Sequence, residues 1–214
     1  MTYNNSKLYE GNRVMKNYDI AKEIINDKGG IATTVDFLSS GLKNYEISNI
    51  CKDGLISRIR QGYYCLPDKT PSEEHLLSKL LPESIVCLES ALYHYGYNDY
   101  APTSWSIAVP RTISLSKLKI EGLPLVPHFI PTSNYELGKM QSNFNGYILN
   151  VYDRERTICD CFKYRNQLDS ETFAKAINAY SSDDKKNLTN LSKYSKQLRV
   201  YKKVTEMMEV LLNG

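Results

Sequence analysis

Between Tyr18 and Leu66 the chain places five short elements in an order that few folds accommodate. Tyr18, Ala21, Ile24 and Ile25 recur at helical spacing and stop at Gly29-Gly30, which predicts a helix of about ten residues. In IATTVDFLSSG, Thr33 or Thr34 can cap a short helix bearing Val35, Phe37 and Leu38, with Gly41 as its exit. A second short helix is predicted over Asn44 to Lys52. Its inner stripe is Tyr45, Ile47, Ile50 and Cys51, and Lys43, Asn44, Glu46, Ser48, Asn49 and Lys52 are left outside. LISRIRQGYYCLP then reads as two strands, Leu55 to Ile59 and Tyr63 to Leu66, around an Arg60-Gln61-Gly62 turn. Helix, short helix, turn, helix and hairpin in that order are the parts of a winged helix-turn-helix.

The rest of the chain is long enough for a second domain. Its 214 residues, 42% hydrophobic and 24% charged, have ordinary globular composition and exclude wholesale disorder or a collagen-like repeat. Three segments are expected: a flexible arm over 1–16, the winged helix over 17–69, and an α/β domain over 70–214. Pro67 and Pro71 bracket the linker. In the second domain we predict helices over His75 to Leu81 and Glu89 to Tyr95, and strands in SWSIAVPR, LVPHFIP and GYILNVY. Asp153 or Thr157 caps a helix with Ile158, Cys161, Phe162 and Arg165 on one face, and two helices follow, Glu171 to Tyr180 and Ser195 to Leu212. The fold class is therefore α+β.

Charge placement is more informative than the net charge of +3. On the second short helix, Lys43, Asn44, Ser48, Asn49 and Lys52 are types that pair with base edges or phosphates when a helix lies in the major groove. Glu46, on the same surface, must avoid phosphates, accept from a cytosine amine, or face solvent. Arg58, Arg60 and Gln61 gather at the hairpin turn, within reach of phosphate or an adjacent minor groove. A second basic cluster, Lys185, Lys186, Lys193, Lys196, Arg199, Lys202 and Lys203, sets seven cations against Asp183 and Asp184. Lys196, Arg199 and Lys203 share one face of the predicted terminal helix, suited to nucleic acid or an acidic partner or simply to solvent.

Catalytic patterns are sparse. His75, His94 and His128 lack metal-ligand spacing, and His94 reads as a packed or hydrogen-bonded residue. There is no phosphate-binding glycine loop, no nucleophile elbow and no Gly-Ser dipeptide of the kind nucleotidyltransferases carry. Asp153 and Glu155 with Lys163 imitate a metal-nuclease site, yet Asp153-Arg-Glu155-Arg reads more simply as a capped, ion-paired helix start. The five cysteines show no Cys-x-x-Cys and are expected to be reduced and mostly buried. With neither a secretory segment nor a membrane span, the chain is expected to be cytoplasmic and to need no cofactor or metal. Two other classes remain open: a nuclease-like or nucleic-acid-modifying enzyme on a winged-helix targeting module, and a ligand-sensing regulator.

Three ordered motifs carry a resemblance: GLKNYEISNICKDGLISRIRQGYYCLP, LESALYHYGYND followed by SWSIAVPR, and VYDRERTICDCFKYR. Together, over residues 17–210, they resemble the AbiEi-type antitoxins, transcriptional regulators of the abortive-infection (type IV) toxin–antitoxin class. The resemblance implies a non-enzymatic protein whose winged helix represses its own operon at inverted repeats. It also implies a C-terminal domain that counteracts a nucleotidyltransferase-like toxin in phage defence without a stable complex. On it, the wing arginines fall at Arg58 and Arg60, the aromatic after the wing glycine at Tyr63, the Ser-Ala-Leu helix at Ser90, Ala91 and Leu92, and the Val-Pro-Arg terminus at Arg111. His94-Tyr95-Gly96 departs from the pattern, which places Gly directly after His, and no catalytic residue carries over. The basic surface of Lys193, Lys196, Arg199, Lys202 and Lys203 is then expected to engage the toxin's nucleic-acid target.

Overall fold

The computed structural model describes residues 3–213, and the side chains of residues 13–211. Its mixed helices and sheets divide into two units: residues up to Glu73 together with Lys119–Gly122, and Glu74–Leu118 together with Leu123–Gly214.

The first unit begins with α1 (Tyr3–Asp27). The expected arm over 1–16 is thus helical from residue 3, and residues 1 and 2 lie outside the described residues. On this helix Arg13 pairs with Glu46 at 2.8 Å, while Val14 and Tyr18 pack against the core. The Gly30 amide donates to the Ile25 carbonyl at 2.7 Å, and Gly29 and Gly30 supply the positive φ of a helix end. Next, β1 (Ala32–Thr33) leads into α2 (Thr34–Ser39), whose start is a capping box in which Thr33 and Asp36 satisfy each other's amides. Helix α3 (Asn44–Lys52) has the predicted bounds, and the strands β2 (Ser57–Arg60) and β3 (Tyr63–Cys65) close around Gln61-Gly62. β1 adds an unanticipated third strand, giving the order β1-β3-β2. Ala21, Ile25, Phe37, Ile47, Ile50, Ile56 and Tyr64 form the core beneath.

In the second unit a five-stranded sheet is ordered β6-β5-β4-β8-β7: β4 (Ile85–Val86), β5 (Trp105–Pro110), β6 (Leu125–Ile130), β7 (Lys139–Phe144) and β8 (Tyr147–Tyr152). β4 pairs parallel with β8 and β5 parallel with β6, and the other two pairings are antiparallel. Around the sheet run α4 (Glu73–Leu80), α5 (Leu88–His94), α6 (Thr132–Tyr135), α7 (Arg154–Lys163), α8 (Ser170–Ser181), α9 (Leu188–Gln197) and α10 (Tyr201–Asn213).

Two expectations for this unit are corrected. Helix α7 is buried all round from Glu155 to Phe162 rather than on one face. Arg156 is fully buried, bonds Asp160 at 3.0 Å, and donates to the carbonyls of Asn134 and Leu137. The single helix expected over Ser195 to Leu212 is two helices. Arg199 takes φ +62°, and the Val200 amide donates to the Ser195 carbonyl at 2.9 Å, a Schellman-type stop. Leu198, Val204 and Met208 pack on one core across this stop, so their spacing imitates one helix.

Candidate nucleic-acid interface

The first unit presents a cleft of about 630 Å³ lined by Thr34, Asn44, Ile47, Ser48, Arg58, Gln61, Gly62 and Tyr64. The cleft forms because three backbone segments meet there. The Thr34 amide donates to the Gly62 carbonyl at 2.9 Å, tying the first turn of α2 to the hairpin turn, while α3 brings up its N-terminal half. Gly62 has φ +80°, a conformation that a side chain at this turn would strain.

Four of the residues singled out from sequence, Asn44, Ser48, Arg58 and Gln61, meet in this cleft. Asn49 and Lys52 line a separate depression with Arg13, Tyr45 and Glu46, and Lys43 is exposed. Two positions on α3 exchange the environments expected of them: Tyr45 is half exposed and Glu46 is buried. Glu46 accepts from the Lys43 amide at 2.9 Å and from Arg13, which also lies over the Tyr45 ring. The Lys43 amide, with Arg13 and Asn17, holds the Glu46 carboxyl below the usual carboxylate range. That carboxylate is therefore occupied inside the fold and not offered to a ligand. Thr34 and Arg13 were missed, although the Thr33-Thr34 cap signal pointed to the first.

The two hairpin arginines are separated by a bulge. Arg58 pairs across the ladder with Tyr64, but Arg60 pairs with Tyr63, leaving Ile59 as the extra residue. Tyr63 and Tyr64 are adjacent on β3 and so point to opposite faces. Arg58 lies over Tyr64, 5.5 Å from the ring centre, on the cleft side. Arg60 lies over Tyr63 at 4.5 Å on the other face. Each guanidinium has a ring partner, and Arg58 also donates to the Tyr64 hydroxyl at 3.3 Å, which limits the side-chain entropy lost on contact with a ligand.

The C-terminal cations do not share one helical face. Lys193 and Lys196 are on α9, Arg199 is at the stop, and Lys202 and Lys203 open α10; all five are exposed. The Lys196 ammonium lies 4.8 Å from the Tyr201 ring centre, and Lys202 approaches Glu206 at 3.9 Å.

The acidic motif at the start of α7 is committed internally. Asp153 accepts from the Arg156 amide and the Tyr194 hydroxyl, and Glu155 accepts from the Tyr180 hydroxyl and the Asn187 amide. The helix start is capped by Asp153 and ion-paired as expected, with Arg154 bonded to Asp183 and Arg156 to Asp160. His94 bonds Ser142 and stacks on Phe144. Among the described residues no group of three His, Cys, Asp or Glu is placed to hold a metal ion, and no helix is long and apolar enough to cross a membrane. All five cysteines are free and all but Cys51 are buried.

Burial pushes the Asp153 carboxyl up to about 6. Between the ordinary carboxylate range and pH 6 the folded state thus holds a proton that the unfolded state has released, and stability falls as pH rises through that window. Asp153→Asn keeps an oxygen for the cap, so its denaturation midpoint is expected to lose this decline when followed from pH 4 to 7. An unchanged decline would place the titration elsewhere.

A polar helix end and a cationic hairpin sharing one cleft define a helix-and-hairpin module with a surface suited to a polyanion. Residues 19–67 match the family model described as transcriptional regulator, AbiEi antitoxin. This segment, which holds the first of the three motifs, is therefore similar to the AbiEi antitoxin transcriptional regulators. The second and third motifs lie beyond the matched segment. No curated protein matches the chain. Among solved structures, the RV2827C protein from Mycobacterium tuberculosis is similar in fold, with a TM-score of 0.61 at 12% identity over 91% of this chain and 79% of that one.

Proposed function

We propose that the first unit is a winged helix-turn-helix that reads operator DNA, with α3 as recognition helix and the β2–β3 hairpin as wing. The observation that carries this reading is the shared cleft, where Asn44 and Ser48 of α3 meet Arg58 and Gln61 of the hairpin. Amide and hydroxyl side chains at the start of a helix suit base edges, and the ring-held arginines suit phosphate. In this reading Lys43, Asn49 and Lys52 flank the recognition surface, and Arg60 with Tyr63 reaches backbone on the wing's far side.

The protein is then an autorepressor acting at inverted repeats upstream of its own operon. Its second unit counteracts a nucleotidyltransferase-like toxin in phage defence without forming a stable complex, and Lys193, Lys196, Arg199, Lys202 and Lys203 are its contact surface for the toxin's nucleic-acid target. The similarity to antitoxin-type regulators over residues 19–67 supports the regulatory part of this reading. Footprinting of the intact chain on the DNA upstream of its gene tests it: protection of two related half-sites is expected. Binding there no tighter than to random DNA would overturn it.

A further inference from the structure

The unit that carries the cleft is discontinuous in sequence. Lys119–Gly122 belong to it, although the residues on either side, Leu118 and Leu123, belong to the second unit. These four residues lie in the connection between the parallel neighbours β5 and β6, after a turn of 3₁₀ helix at Leu115–Leu118. Parallel strands need a long crossover, usually a helix packed on their own sheet. Here part of that length serves the other unit.

Its point of attachment is the bulge. β2 is an edge strand, and Ile59 is the residue that the bulge leaves without a register partner on β3. The Glu121 amide donates to the Ile59 carbonyl at 2.8 Å. The apolar neighbours are covered as well, with Ile59 6% and Ile120 8% exposed. Gly122, at φ +73°, then turns the chain away. A bulge on an uncovered edge is a soft place in a sheet, because sliding by one residue would restore regular pairing. Such a slide would carry Arg60 from the Tyr63 face to the Tyr64 face. The Glu121 amide in this strap of Lys119–Gly122 is bonded to the residue at which the bulged register departs from the regular one.

We propose that Lys119–Gly122 is a positioning element of the DNA site: the Glu121 amide locks the bulge at Ile59 and so holds Arg58 and Arg60 on opposite faces of the wing. The proposal rests on the DNA-binding reading above. It also supplies a route for regulation, since anything that reshapes the β5–β6 connection acts on the wing through four residues and needs no bound ligand near the cleft.

The test compares Glu121→Pro, which removes the amide, with Glu121→Ala, which keeps it, in the intact chain. Two quantities are read: amide hydrogen exchange at Ile59, Arg60 and Gln61, and affinity for the footprinted operator. In the parent the Glu121 amide is expected to be protected. In Glu121→Pro the three wing amides exchange faster and affinity falls about 3- to 10-fold, the scale of one lost backbone hydrogen bond. Glu121→Ala leaves exchange unchanged and affinity equal or higher, having lost only a carboxylate. Unaltered exchange in the second unit's sheet shows that the proline variant is folded. An unprotected Glu121 amide, or wing exchange unchanged in Glu121→Pro, would overturn the strap. Faster exchange with full operator affinity would overturn its positioning role. If the parent itself does not bind the operator, the DNA reading fails, and the exchange results alone decide whether the strap locks the bulge.

Discussion

Replacing Arg58 and Arg60 together by Ala is expected to weaken operator binding on the order of 100-fold, from a loss of ~1–3 kcal/mol per arginine contact. The salt dependence should change with it. Each phosphate neutralised contributes about 0.9 to the slope of log K against log salt, so the double variant should be shallower by about two if both arginines meet phosphate. The bulge places the two guanidiniums on different faces and over different rings, so the single effects should add. Titrations at two salt concentrations with the parent, both single variants and the double variant read all three quantities. Arg58 is exposed and Arg60 half-buried over Tyr63, so denaturation midpoints measured on the same variants separate lost contacts from lost structure. A double variant with the parent's affinity and slope would remove the wing from the interface.

The largest effect on stability is expected at Arg156. Its guanidinium sits fully buried 4.0 Å from the Tyr152 ring centre, bonded to Asp160 and to two carbonyls. Arg156→Met leaves Asp160 as an uncompensated buried carboxylate, a loss of ~3–5 kcal/mol. Burial raises the Asp160 carboxyl above the usual range even with Arg156 in place. Without Arg156 that rise grows, so the variant's deficit should shrink on acidification as Asp160 takes up a proton in the folded state. Arg156→Met with Asp160→Leu removes both charges and should be more stable at neutral pH than Arg156→Met alone, though short of the parent because the Asn134 and Leu137 carbonyls lose a donor. Denaturant midpoints at two pH values check this. A double variant no better than the single would show that the carbonyl bonds, and not the charge pair, dominate.

The parts of the fold that were legible in sequence are those where local chemistry and packing agree. Thr33 caps α2 with Asp36, and α3 begins and ends at the predicted residues. The strands of the hairpin fall either side of Gln61-Gly62. What was hidden follows from polar groups in unusual places. Glu46 and Tyr45 exchange burial because Arg13 reaches Glu46 from α1. Strand β7, with the sequence KMQSNF, is an edge strand with mostly polar residues and carries no alternating signal. The stop between α9 and α10 uses an arginine at positive φ, where sequence reasoning looks for glycine. In the candidate site, the residue types could be read but their grouping could not. Asn44, Ser48, Arg58 and Gln61 converge only because the Thr34 amide meets the Gly62 carbonyl, while the bulge that divides the arginines is a matter of strand register.

The discontinuity of the first unit sets an order of events during synthesis. When the hairpin leaves the ribosome, the Ile59 carbonyl has no amide to receive, because Glu121 has not yet been translated. Everything from Glu74 to Leu118, including the first two strands of the second sheet, must follow before the edge of β2 can be closed. A nascent chain stalled in that interval carries a wing with an open edge. Closure of this edge is therefore coupled to synthesis of the first third of the second unit, so a product truncated before Glu121 would keep the open edge.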